Sequence, residues 1–193
     1  FKNNVKFIFD NYIIFLVYSL EEQIDKIIIM PLFGSVILGN FSLGVQAISV
    51  LLIFSMIFYK FILPQDSTGS DLKKLKIYVI LISIGISLFG VIAGPILIEE
   101  FFPKYVEIKG AIQIMSLDAI PATIVLILQS KFLGDQKSRI VLYGTILSVS
   151  ILVVSMITLG TSNGIIGLAW SVIIATSSKA LFFAYNYLKK PKI

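Results

Sequence analysis

The sequence predicts an all-α, polytopic membrane protein: a bundle of six transmembrane helices spanning residues 1–193 as a single unit. Three observations carry this. Six apolar runs can be marked off, each about 20 residues long, the length that crosses a bilayer core as a helix. The chain is 57% hydrophobic and 14% charged, with a mean hydropathy of +0.95; a soluble domain of this size would carry about 25% charge. Twelve of the 16 Lys and Arg residues fall on one face of the six-span arrangement. These include Lys2, Lys60, Lys73, Lys131, Arg139 and Lys192. The other face has Lys104 and Lys109, while Lys26 and Lys179 fall inside spans. Basic residues concentrate on the cytoplasmic side of membrane proteins, so both termini are predicted to be cytoplasmic in a multi-pass protein of the cell membrane.

The spans are expected at about 11–32, 41–63, 77–98, 110–130, 140–159 and 165–187. Before the first, residues 1–10 mix Lys2, Lys6 and Asp10 with Phe and Val, the pattern of an interfacial lead-in. Pro31, Gly34, Gly39 and Asn40 break the chain between the first two spans. Pro64 closes the second, and a polar loop with Asp66, Asp71 and a lysine cluster follows. The loop EEFFPKYVEIK, residues 99–109, precedes the fourth span, and GTSNG, residues 160–164, joins the fifth to the sixth. Aromatic residues mark both borders: Phe58, Tyr59, Tyr78, Tyr143, Tyr185 and Tyr187 on the cytoplasmic side, and Phe101, Phe102 and Tyr105 on the other. Such rings suit the headgroup level, with an apolar body and a polar edge.

Small residues lie in stripes along the third span (Ser83, Ser87, Gly90, Gly94), the fifth (Gly144, Ser148, Ser155) and the sixth (Gly164, Gly167, Ser171, Ala175). In lipid, helices associate through close backbone approach, so these stripes predict helix–helix faces.

Several chemistries are excluded. The chain has no Cys and no His, which removes disulfides, thiolate ligands, Cys nucleophiles, the usual general base near neutral pH and the commonest zinc ligand. An enzyme of the Ser–His–Asp, Cys–His or zinc-hydrolase kind is therefore not expected. The net charge of +5 sits in short loops flanking apolar runs, which points to membrane orientation rather than nucleic acid. The first residue is Phe1 and no signal-peptide pattern follows, so the chain is expected to be a piece of a longer protein or a trimmed one.

Ionisable residues within the spans are the candidate functional groups, because a charge at a span centre costs roughly 2.5–3.5 kcal/mol on insertion scales and such groups usually face a bundle interior or a wet cavity. The first span carries Glu21, Glu22, Gln23, Asp25 and Lys26. Glu22 and Lys26 have the spacing and order of a favourable helix pair. Glu21 and Asp25 share that spacing and repel, so a proton or a cation is expected between them. The alternative is that this cluster is an outer-interface rim. Asp118 lies near the membrane midplane in the fourth span, one turn before Pro121, where a kink is expected to free a carbonyl. It is either a functional acid or a hydrogen-bonding group between helices. Lys179 shares a face with Ser171 and Ala175, and either enters the interior or snorkels to the cytoplasm. Gln46, Gln113 and Gln129 are expected to tie helices together.

A family resemblance emerges from the motifs in order. Gln23-Ile24-Asp25-Lys26-Ile27-Ile28-Ile29, then Gly34-Ser35 and Leu38-Gly39-Asn40-Phe41, then a span closing on Leu63-Pro64, resembles the opening of the C-terminal half of polysaccharide flippases. Met30 stands where the family usually has Gly, and Phe41 where it has Tyr. Phe102-Pro103-Lys104-Tyr105 resembles the family's outer loop. The run from Gln113 to Gln136 is similar to its helix and Gly-containing connector, and Asn163-Gly164-Ile165-Ile166-Gly167-Leu168-Ala169 to its turn into the last helix. The resemblance covers nearly the whole chain and is to the multidrug/oligosaccharidyl-lipid/polysaccharide exporter superfamily. It implies one six-helix lobe of a two-lobed, alternating-access transporter. That transporter would flip a polyprenyl-pyrophosphate-linked glycan across the cytoplasmic membrane, with membrane lipids and an N-terminal lobe as partners. The substrate or ion pathway would include Glu21, Glu22, Asp25, Lys26, Asp118 and Lys179. No cofactor is implied beyond a coupling Na+ or proton. The four acids against two bases in that set suit cation coupling, so a multidrug antiporter of the same superfamily is the second expectation, and a non-transporting membrane scaffold the third.

Overall fold

The protein is described from a computed structural model covering residues 2–68 and 72–189, with side chains described from residue 12 onward except at Tyr18 and Glu22. Among the described residues the structure is helical, without strands. The elements are α1 (Lys2–Ser67), α2 (Lys73–Phe101), a 3-10 turn (Pro103–Ile108), α3 (Lys109–Ser116), α4 (Ala119–Gly134) and α5 (Ser138–Leu188). Three of these helices are long and apolar enough to cross a membrane, four if the bent segment from Pro103 to Gly134 counts as one span.

Neither of the two longest helices is a straight rod. At 1.5 Å per residue a straight α1 would reach about 100 Å, over twice the full thickness of a bilayer. Instead its conformation breaks at Gly34, at φ 84° and ψ 173°, a region that side chains rarely allow. Ile14 from the first arm packs with Val125 and Phe132, and Ile62 from the second packs with Ile127. Both ends of α1 therefore meet the same stretch of α4, and the two arms fold back on one another. Gly164, at φ 56° and ψ −134°, does the same in α5. Around it contacts nest in antiparallel order. Gly167 has its Cα hydrogen against the Leu159 carbonyl, Ser148 Oγ donates to Ala175 O at 3.3 Å, and the Phe183 ring occupies the space a side chain at Gly144 would need.

The expected breakers are thus used sparingly. Ser35 to Asn40 are helical rather than a loop, and residues 160–163 continue their helix, because a single glycine reverses the chain at each place. The outer segment 99–109 likewise carries helix to Phe101 and then a 3-10 turn, so the helices outrun the apolar runs.

The turn from α4 to α5 is a Schellman closure. Gln136 N donates to Leu133 O and Lys137 N to Phe132 O, at 3.0 and 2.7 Å, with Gln136 in the left-handed region at φ 58°. Just before it, Gly134 lets the end of α1 approach. A Cβ there would lie 2.9 Å from the Asp66 carbonyl carbon.

The core is divided into layers, with apolar residues also spread over the outside. One buried layer gathers Ile29, Phe41, Ile98, Ile108, Met115 and Leu168. Two smaller ones, around Phe132–Phe183 and Ile62–Val79, lie toward the basic end. The outward faces carry large apolar groups such as Phe15, Val36, Phe89, Ile92 and Leu181, the reverse of a soluble protein and the expected result when lipid is the solvent. Several buried hydroxyls find acceptors within their own helix, while Ser87 Oγ is buried with none. Ser116, Thr123, Thr145 and Ser171 each donate to the carbonyl four residues back.

The predicted small-residue face of the third span is packed, whereas Gly164 of the sixth has open space where a side chain would be. A Cβ on Gly90 would meet Leu51 and Ser116, one on Gly94 would meet Ile112, and Ser83 and Ser87 are buried. Gln113 reaches Val91 O of α2 at 3.2 Å, and Gln129 reaches the Tyr59 hydroxyl at 3.5 Å, as helix-tying residues should. Gln46 instead lines an apolar surface groove of about 370 Å³.

Candidate functional site

The polar site lies at the seam between the apolar layers. Each contributing residue is flanked in its own helix by members of both layers: Glu21 by Ile14 and Ile24, Asp118 by Met115 and Val125, Ser148 by Val141 and Leu152, and Lys179 by Ala175 and Ala180.

Asp118 is placed by a break in the helix. Pro121 has no N–H to give to the Leu117 carbonyl, so the regular ladder cannot pass through this point. The chain answers with tighter turns: Leu117 N donates to Ile114 O and Asp118 N to Met115 O, both at 2.9 Å, and Ile120 N reaches Leu117 O at 3.3 Å. The carbonyl that Pro121 was expected to free is thereby taken by Ile120. The result is a 40° bend between the segment 103–116 and α4, with Asp118 at its corner. Asp118 is 5% exposed. Thr176 of α5 stands close to the carboxyl and Glu21 is near enough to act on it electrostatically, while Asp118 Oδ1 is buried without a hydrogen-bond partner.

Lys179 points inward. Its Nζ stands 3.8 Å from Glu21 Oε2, and its side chain is 6% exposed, so it does not snorkel to the surface. Ser148 Oγ approaches Glu21 Oε1 at 3.5 Å, the outer limit of a hydrogen bond. Three helical arms therefore supply one cluster: Glu21 from the first arm of α1, Asp118 from the α3–α4 bend, and Lys179 with Thr176 from the last arm of α5.

Beside the cluster is a cavity of about 190 Å³, lined by Glu21, Asp25, Ser148 and Thr176 with apolar walls from Phe41, Val45 and Met156. Glu21 and Asp25 face the same space, as their spacing predicts. Lys26 does not join them. It is exposed, and its Nζ donates to Gln23 Oε1 at 2.8 Å. The Glu22 side chain lies outside the described residues, and with it the expected Glu22–Lys26 pair. Among the described residues no group of three acidic, His or Cys side chains converges on a metal position.

A second buried polar group went unnoticed in the sequence. Asp66 reads as part of a solvated loop, yet it is 4% exposed. Both its oxygens take bonds from Lys76 Nζ, at 2.7 and 2.9 Å, and Oδ2 also accepts from Ser130 at 2.6 Å. Its one detectable signal was position: an acid one turn past the last apolar residues of a span, followed ten residues later by a lysine. Thr176 gave no signal in the sequence, and Ser148 only that of its small-residue stripe.

The chain has no match among family models, curated proteins or solved structures.

Proposed function

We propose that this chain is a transporter lobe and not an enzyme. Counting each arm of α1 and α5, α2, and the bent 103–134 segment as one pass gives six passes, with both ends on the basic, cytoplasmic side. The lobe works with a second, N-terminal lobe and flips a lipid-linked oligosaccharide or polysaccharide precursor by alternating access.

One observation carries the reading. Asp118 is buried at the corner of a discontinuous helix, with one oxygen unpartnered, and Glu21, the partner of Lys179, is near enough to act on it electrostatically. Ionisable groups at such depth are costly and belong by default to substrate, ion or proton paths, and broken helices near the midplane are where transporters place those sites. In this reading Asp118 and Glu21 exchange a coupling proton or Na+, and Lys179 is the charge that Glu21 relinquishes when the cation binds. The polysaccharide substrate rests on the sequence resemblance alone.

The acidic lining of the cavity, Glu21 and Asp25 without a lysine, favours a second reading, a cation-coupled multidrug antiporter. An anionic pyrophosphate would need basic residues from the other lobe.

The experiment is export by the assembled two-lobed protein. Asp118→Asn is expected to abolish glycan export with folding and insertion intact, and Glu21→Gln to shift its pH or sodium dependence. Drug efflux in place of glycan export selects the antiporter. Full activity of the Asp118→Asn/Asp25→Asn double variant returns these residues to a structural role. Cysteines introduced at Thr68 and Glu107 test the passes, since the chain has no native Cys; labelling at position 68 from outside the cell would overturn the orientation.

A further inference from the structure

At the basic end of the bundle, a pocket of about 240 Å³ opens between α2, α4 and the end of α5. It is lined by Lys73, Lys76 and Lys131, by Ile77, Ile127 and Leu128, and by Tyr187. Three lysine side chains and a tyrosine thus share the lining with three aliphatic side chains. Among the described residues no carboxylate lines it.

An independent feature of α2 points the same way. The N-terminus of a helix carries partial positive charge and prefers acids in its first turn. The first turn of α2 has no acid and instead holds Lys73, Lys74 and Lys76. Its N-cap is Leu72, which has no side-chain oxygen to accept from the first-turn amides. Three lysines add positive charge to an end that is already electropositive. Asp66 serves Lys76, and Asp135 serves Lys131 at 2.9 Å. An ammonium has three N–H donors, so Lys131 keeps donors beyond that bond.

We propose that this pocket binds an anionic phospholipid of the cytoplasmic leaflet. The phosphate sits among Lys73, Lys76 and Lys131 at the N-terminus of α2, and an acyl chain lies along Ile77, Ile127 and Leu128. Two arguments select a lipid over a soluble phosphate. The apolar wall has no use for a soluble anion. Ile77 and its neighbour Tyr78 are also largely exposed on the outward, lipid-facing surface, so the pocket is continuous with the bilayer. Basic pockets between membrane helices on the cytoplasmic side suit this role. The proposal needs the membrane orientation but not the transport activity, so the failure of either leaves the other standing.

The test is native mass spectrometry of the purified chain in detergent with equal phosphatidylglycerol and phosphatidylcholine. Phosphatidylglycerol is expected to be retained selectively. Lys73→Gln and Lys131→Gln are each expected to lower its occupancy about fivefold, the effect of losing one basic residue near an anionic leaflet. Lys109→Gln, on the opposite face, is expected to change nothing. If Lys131→Gln fails to fold through loss of its Asp135 partner, Lys73→Gln decides. Equal retention of the two lipids, unchanged occupancy in Lys73→Gln, or displacement of phosphatidylglycerol by equimolar glycerol phosphate would each overturn the proposal, the last by showing a soluble-phosphate site.

Discussion

Lys179 Nζ stands 3.8 Å from Glu21 Oε2, joining the first arm of α1 to the last arm of α5 at the seam between apolar layers. Lys179 is buried and Glu21 partly exposed, so removing the lysine leaves a half-buried carboxylate short of a partner. Lys179→Met is expected to lower detergent-solubilised stability by about 1–3 kcal/mol. The Lys179→Met/Glu21→Gln double variant is expected to recover at least about 1 kcal/mol of that, as coupled neighbours do. Additive losses in a thermal-unfolding cycle would show that the two side chains do not interact.

Gly90 faces Leu51 and Ser116 so closely that a Cβ would lie 2.6 and 2.7 Å from their side chains. Gly90→Leu is expected to push α2 away from α1 and α3 and to cost about 1–3 kcal/mol by overpacking. Gly85, with open space where its Cβ would be, is the control: Gly85→Ala is expected to leave the melting temperature unchanged or slightly raised.

The Asp66–Lys76–Ser130 group anchors the end of α1 to α2 and α4. Asp66→Ala is expected to cost about 1–3 kcal/mol, the desolvation penalty of partners left unsatisfied. Gly134→Ala attacks the same junction sterically, because its Cβ would meet the α1 backbone rather than a flexible side chain. Protease accessibility after Ser67 reads both: each variant is expected to be cut faster there than the parent.

Asp135 sits in the α4–α5 turn, outside the helices, between Lys131 at 2.9 Å and Lys137 at 3.6 Å. Burial alone would raise its carboxyl, but the hydrogen bond from Lys131 and the charges of both lysines outweigh that and hold it below the ordinary 3.8. A depressed carboxylate contributes stability above its unfolded value and loses it as pH falls toward the folded one. The contribution is therefore full at pH 6 and declines below about pH 4. The pair is part-exposed, so Asp135→Asn is expected to cost only about 0.5 kcal/mol at pH 6. That difference is expected to disappear by pH 3 in a thermal melt.

Gln136 holds a left-handed conformation that glycine adopts without strain. Gln136→Gly is expected to stabilise the α4–α5 turn by up to about 1 kcal/mol, read as a higher melting temperature. An unchanged or lower value would mean that the Gln136 side chain offsets the strain.

The sequence by itself determined the helical class and roughly where the chain reverses, because apolar length and the clustering of breakers are local properties. It did not determine that Gly34 alone, and not Gly39 or Asn40, makes the first reversal, nor Gly164 alone the second. It also singled out Glu21, Asp118 and Lys179, because charge in an apolar run is costly wherever the run packs. Tertiary structure decided their company. Asp118 and Glu21 are 97 positions apart in the chain, and only the folding back of α1 and α5 brings them to one seam. It also turned Lys26, in the same charged run as Glu21, outward to Gln23, since a few positions along a helix are enough to change faces. Asp66 shows the same limit from the other side. It reads as a loop acid until Ser130 and Lys76 close over it, because burial is a property of what packs against a residue and not of the residue itself.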